Sequence, residues 1–179
     1  MSGGLAGTGL LLRLALRRDR ARLLAWTSGV VVVGGYCAAA LRFVYADPGD
    51  LRAVVGFVSG PAGTVLSGPG YGLDAPGGPT YGAALAGVYG MWVALVGAFA
   101  GMTLVVRHTR EEEESGRLEL VRSGGVGRAA PLAVAAVLAV GSALGVAVLT
   151  SVVLVVVLGF PAASSVLFAT GVATVGLVF

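Results

Sequence analysis

Four long apolar stretches without a single charged residue alternate with connectors that hold nearly all of the charge. They run over about residues 23–41, 81–106, 131–158 and 162–179. At 1.5 Å per residue, the second would be roughly 39 Å long as a helix, enough to cross a hydrocarbon core of about 30 Å. In lipid a spanning backbone must satisfy its own hydrogen bonds, which continuous apolar segments of this length do as α-helices. The pattern predicts an all-α, polytopic helical membrane protein with about four transmembrane helices, preceded by a short helix at the interface. The fourth stretch is still apolar at Phe179, with no polar residue to anchor it at the far surface. On that ground the sequence reads as the front part of a longer chain.

The connectors differ from one another. Residues 1–22 form a cytoplasmic tail whose run LLRLALRRDRARLLAW holds Arg13, Arg17, Arg18, Arg20 and Arg22. On a helix Arg13, Arg17 and Arg20 share a stripe beside Leu12, Leu16 and Leu23, which fits an interfacial helix with snorkelling arginines. The 42–80 connector holds a second helical signal, with Asp47 and Pro48 as cap and first position. Leu51, Val54, Val55 and Val58 follow at helical spacing and mark an amphipathic helix on the membrane or on the spans. Gly60 and Pro61 stop it, and SGPGYGLDAPGGP is rich enough in turn formers to be irregular. Tyr81 and Tyr89 suit an interfacial aromatic belt.

Charge sets the orientation. Five arginines precede the first span and five more (Arg107, Arg110, Arg117, Arg122, Arg128) lie between the second and third. The 42–80 connector has only Arg42 and Arg52, set against Asp47, Asp50 and Asp74. By the positive-inside rule, the N-terminus and the 107–130 connector face the cytoplasm, and residues 42–80 form an outer loop. The expected location is a cytoplasmic membrane, crossed several times.

Composition then removes several functions. Charged residues are 12% of the chain, against about 25% in soluble domains, and mean hydropathy is +0.91. The arginines sit beside apolar spans rather than on a folded basic face, so membrane lipid is a simpler partner for them than nucleic acid. All twelve basic residues are arginine, and a phosphate-binding P-loop requires lysine, so this chain does not hydrolyse ATP through one. A single cysteine, Cys37, permits neither an internal disulfide nor a cysteine zinc cluster, and His108 is the only histidine. No catalytic, metal or cofactor-binding residues are expected. The spans contain no ionisable residue, which argues against a proton-coupled antiporter.

The connector RHTREEEESGRLELVRSGGVGR carries the densest chemistry. Thr109 and Glu112 have capping-box spacing, four consecutive glutamates suit a first helical turn, and Gly124 and Gly125 suit an end. A separate short helix over about 110–122 is expected. Glu113–Arg117 and Glu119–Arg122 have the spacing of ion pairs along it. Two readings stay open: a solvated, charge-laced helix with no partner, or a docking helix, which four adjacent carboxylates favour because they exceed what capping needs and repel each other. Gly97 with Gly101, and Gly141 with Gly145, form GxxxG spacings that permit close helix approach. Tyr71 and Asp74 read as a structural turn.

With VRHTREEEESGRLELVRSGGVGRAAPLA, the preceding GPGYGLDAPGG and the arginine-rich N-terminal segment, the chain resembles permeases of type-2 ATP-binding-cassette exporters. Within them it is most similar to the polyketide-antibiotic and multidrug export permeases of high-GC bacteria. The resemblance implies that the arginine-rich segment is an elbow helix on the inner leaflet. It also implies that the connector is a coupling helix touching a separate cytoplasmic ATPase. His108, Thr109, Arg110, Glu111, Glu112, Glu113, Glu114, Gly116, Arg117, Glu119 and Leu120 match that coupling segment. ATP and magnesium would then be bound by the partner, and the rest of the permease or a second half would complete the pathway. The resulting expectation is a non-catalytic permease subunit that exports lipophilic compounds such as antibiotics or drugs. The alternative is a membrane anchor or assembly protein that recruits a soluble partner through its acidic helix.

Overall fold

A computed structural model describes residues 6–70, 72–114, 127 and 129–178. Among these every regular element is helical. Helix α1 spans Thr8–Val44, α2 Leu51–Val58, α3 Pro61–Ser67, α4 Tyr81–Ala84, α5 Gly90–Glu114, α6 Ala130–Val152 and α7 Ala162–Val178. A π-helical turn, Leu85–Tyr89, joins α4 to α5, and another, Val153–Val157, extends α6. Thr8–Val44, Tyr81–Thr103 and Ala130–Val157 are long and apolar enough to cross a membrane, and α7 is a shorter apolar helix. The chain is an all-α polytopic membrane protein.

The membrane fixes which way the side chains face. Val32, Tyr36, Leu95, Phe99, Leu144, Val148, Val156 and Leu167 are all exposed. In water such a belt would be a liability, whereas against lipid tails it costs nothing. The buried positions form one stripe per helix: Val30, Gly34, Ala38 and Leu41 on α1, Ser165, Ala169, Val172 and Ala173 on α7. These recur every three or four residues, the period of a single helical face.

Contacts between stripes give the directions of the helices. Gly34 and Gly35 of α1 lie against Thr150 and Val153, so α1 and α6 run parallel. Gly97 lies against Val172, and Gly101 against Gly176, so α5 and α7 run parallel to each other and opposite to the first pair. At the α5–α7 crossing the two backbones touch. A Cβ on Gly101 would lie 1.8 Å from the Gly176 carbonyl oxygen, and one on Gly176 would lie 2.8 Å from the Gly97 carbonyl oxygen. Only glycine fits there. The Gly97–Gly101 spacing thus works between helices of this chain. Gly141 has no neighbour within 4 Å of where its Cβ would sit, so the Gly141–Gly145 pair makes no comparable crossing.

The expected interfacial helix and first span are one uninterrupted helix. With 37 residues, α1 is about 55 Å long, and no break falls at residue 22. Arginine and leucine are both good helix formers, and no glycine or proline stands between Leu10 and Ser28 to end the turn.

The 42–80 connector folds over one end of the bundle. Pro48–Asp50 makes a 3-10 turn that leads into α2. Leu51, Val54 and Val58 bury their side chains with Leu41, Leu85, Leu154 and Phe160, so the amphipathic face rests on the spans. Gly60 and Pro61 end α2 as expected, but Pro61 also starts α3 as its first residue, the position proline tolerates best. The Thr64 hydroxyl donates to Val58 or Gly60 carbonyls at 2.9 and 3.0 Å and pins the α2–α3 corner. The second span is capped by Thr80, whose hydroxyl accepts from the Ala83 N–H at 3.2 Å.

The glycine crossing yields a paired prediction. Gly101→Ala should destabilise the chain by about 1–3 kcal/mol, since the added methyl meets backbone that cannot give way. Gly141→Ala should be neutral or stabilising by up to about 1 kcal/mol through helix propensity. Thermal unfolding in detergent, followed by circular dichroism, compares the two.

Candidate functional site

Three regions hold the chemistry that the sequence singles out, and a fourth emerges from the packing. The acidic segment comes first. Helix α5 runs from the span through Arg107, His108, Thr109 and Arg110 to Glu114 without a break. Thr109 is therefore interior to a helix, and the expected capping box and separate helix start do not form there. The reason is local: no glycine or proline lies between Thr103 and Glu114 to take the chain out of the helix before Thr109, so the backbone ladder simply continues. Glu111–Glu114 follow the span on the same rod, with no helix N-terminus beneath them to offset four negative charges. Gly116, Arg117, Glu119 and Leu120 of the expected coupling segment lie outside the described residues, as does Tyr71.

The second region is the first half of α1. Arg13, Arg17, Arg18, Arg20 and Arg22 are all exposed. Asp19, in their midst, is 6% exposed, a burial that the arginine stripe did not foreshadow. The start of this helix is tied to the segment that enters α6: the Gly127 N–H donates to the Ala6 carbonyl at 3.0 Å.

At the other end of α1, Arg42 organises a cluster that the sequence reading had left as a loop charge. Its guanidinium donates from Nη1 to the Leu158 carbonyl. It also stands 5.5 Å from the centre of the Tyr81 ring and 5.7 Å from that of Phe160. The two rings meet edge to face at 6.4 Å. The Tyr81 hydroxyl completes the cluster by donating to the Tyr45 carbonyl, with the Ala46 carbonyl 3.0 Å away. Gly159 adopts φ +66°, and a Cβ there would sit 3.3 Å from Arg42 Nη1, so the tight turn and the cation require each other. The cluster joins the end of α1, the start of α4 and the α6–α7 turn. Asp74 is exposed in a neighbouring turn.

Toward the opposite end, α1, α5, α6 and α7 leave a small cleft between them, partly open to the surroundings. Each helix contributes to it: Trp26, Thr27 and Val30 from α1, Gly97, Ala100 and Gly101 from α5, Ser142, Ala143 and Val146 from α6, Val172, Ala173 and Gly176 from α7. The space exists because the contacts at its sides are made by backbone or by short side chains, which do not reach the middle. None of the lining residues is ionisable. The Ser142 hydroxyl donates to the Ala139 carbonyl at 2.8 Å. Trp26 meets Phe99 edge to face at 5.7 Å. Among the described residues, no three His, Cys, Asp or Glu side chains are grouped to hold a metal ion.

No family model matches the chain. A curated protein does: the chain is 36% identical over 178 residues, 98% of its length, to the multidrug efflux system permease protein Rv1217c of Mycobacterium tuberculosis. The resemblance to multidrug export permeases holds. The chain spans about a third (31%) of that relative's length. The acidic run and the cleft come from the same helices, α5 above all, so the charged extension and the cleft wall are two parts of one rigid element.

The Arg42 cluster can be tested directly. Arg42→Ala removes a charge-assisted hydrogen bond and two ring contacts, and should cost about 1–2 kcal/mol of stability. Arg42→Lys should recover part of this, because lysine keeps the charge but loses the planar group that stacks. Unfolding midpoints of both variants in detergent give the comparison.

Proposed function

We propose that this chain serves in the permease of an ATP-binding-cassette exporter and moves lipophilic compounds out of the cell, driven by a separate ATPase subunit. The N-terminus and the acidic end of α5 face the cytoplasm on this reading, which ten arginines in the N-terminal segment and the 107–130 connector, against two in the 42–80 connector, support. Similarity over 98% of the chain to a protein named as a multidrug efflux permease supports export.

The observation that carries the reading is the continuity of α5. A docking segment transmits force only if it is stiffly joined to the helices it must move, and here the acidic run is the same helix as the span. Four carboxylates on a helix that offers them no terminus are stabilised by a cationic partner surface, which fits a soluble subunit with a basic groove. The ATPase would bind ATP and magnesium itself.

Replacing Glu111, Glu112, Glu113 and Glu114 together by alanine should leave membrane insertion and helicity intact and weaken association with the ATPase by tenfold or more, about 1.4 kcal/mol. Co-purification of the two subunits from membranes reads this, and undiminished recovery of the ATPase would overturn the docking role.

A further inference from the structure

We propose that the charge-free stretch 53–73 is a re-entrant hairpin set into the membrane, with Phe57, Val65 and Leu66 lying against lipid acyl chains. Its depth follows from what it touches. The Arg42 cluster gathers a cation and aromatic rings, as spans do where they reach the interface, so Tyr81 marks the membrane surface on the second span. Helix α2 packs on Tyr81–Ala84, at that surface, and α3 packs on the next turn, Leu85–Tyr89. That turn begins about 6 Å further into the bilayer and ends about 12 Å in, at 1.5 Å per residue. Gly70 reaches the same level. A Cβ on Gly87 would stand 3.3 Å from the Gly70 Cα, and one on Gly70 would stand 2.4 Å from Val58 Cγ1. Glycine at both positions lets the chain wedge between α2 and the span. The leaflet is the outer one on the orientation proposed above, and the depth argument holds for either.

The chemistry of the hairpin suits that depth. No Asp, Glu, Lys, Arg or His occurs between Arg52 and Asp74. Val65 is 81% exposed, and Phe57 and Leu66 are exposed as well, so large apolar side chains point away from the protein. In water such an edge would be a liability; among acyl chains it is favourable. Hydrocarbon also requires a backbone to pair its own polar groups. At the α2–α3 corner the Ser59 and Gly60 N–H groups donate to the Val55 and Phe57 carbonyls at 2.9 and 3.1 Å. Pro61 has no N–H to pair, and the Thr64 N–H donates to the Gly60 carbonyl at 2.9 Å. The Thr64 hydroxyl, 2.9 Å from the Val58 carbonyl, adds a further bond inside the corner. Phe57, Val65 and Leu66 offer no polar or charged group to fix the register of a protein partner, so the edge fits lipid.

Spin labelling tests this in an otherwise cysteine-free permease, Cys37→Ala included, reconstituted in vesicles of phosphatidylcholine and phosphatidylglycerol. Phe57→Cys and Val65→Cys place one label on each helix of the hairpin. Molecular oxygen concentrates among acyl chains, and a water-soluble nickel chelate stays outside them. At both sites oxygen should relax the label more strongly than nickel, as at Leu95→Cys on the exposed face of α5. Asp74→Cys, exposed just past the charge-free stretch, should show the reverse order. Leu66→Cys replaces either reporter that lowers helicity by circular dichroism. Stronger relaxation by nickel at the hairpin sites would place them in water and overturn the proposal. Immobile labels that neither reagent reaches would mean that another protein segment covers the edge, and would overturn it equally. The assay needs neither ATPase nor transport, so its failure would leave the export reading standing.

Discussion

Everything in this bundle depends on how helices are held together where the hydrophobic effect does no work between them. Lipid tails solvate leucine and valine as well as another helix does, so association rests on close packing and a few polar contacts. The α5–α7 crossing meets this demand with backbone. Gly97, Gly101 and Gly176 let the two helices approach until carbonyl oxygens stand where a Cβ would be. At such a distance many weak dispersion contacts add up along the interface. The same choice of residue has a second effect. Small side chains that let backbones touch on one side leave space on the other, so the tight crossing and the cleft beside it have one cause.

The far end of the bundle solves the problem differently. There the spans reach the interface, and polar groups become available at lower cost. Arg42 meets a carbonyl and two aromatic rings at once, while Tyr81 reaches back to the carbonyls that follow α1. Above this cluster α2 lays Leu51, Val54 and Val58 on the spans. One end is thus closed by a cation, aromatic rings and an amphipathic helix, and the other is left more open by glycine and alanine.

How far the sequence foretold this arrangement depends on the range of each signal. Spans of apolar residues, the helical spacing of Leu51 to Val58 and the Gly60–Pro61 stop are local, and each reappears in the structure. The Gly97–Gly101 spacing pointed to close approach, but the partner Gly176 lies 75 residues beyond Gly101, and the equally spaced Gly141 and Gly145 make no such crossing. Spacing says that a helix can be approached closely and is silent on which helix approaches. The role of Arg42 was hidden for the same reason, since Tyr81, Leu158 and Phe160 come together only after folding. The Thr109 capping box failed for a different cause. A capping pattern has meaning only where the preceding residues leave the helix, and nothing before Thr109 makes them do so. The two π-helical turns have no composition that distinguishes them from the α-helix around them.

The contacts link the four helices in the order α1, α6, α7, α5, and α6 packs on α7 as extensively as α5 does. Helices α5 and α7 are joined along their length at the glycine crossing, while α1 and α6 are joined at Gly34, at Gly35 and through the Ala6–Gly127 hydrogen bond. The cleft is walled by all four helices. At the Arg42 end a polar cluster ties α1, the helical segment before α5 and the α6–α7 turn to one another. A displacement applied to the acidic extension of α5 would therefore be carried to α7 by backbone contact, and from α7 to α6 along their packed faces. Helix α5 carries both the acidic run and one wall of the cleft, so the two are joined by a continuous backbone ladder.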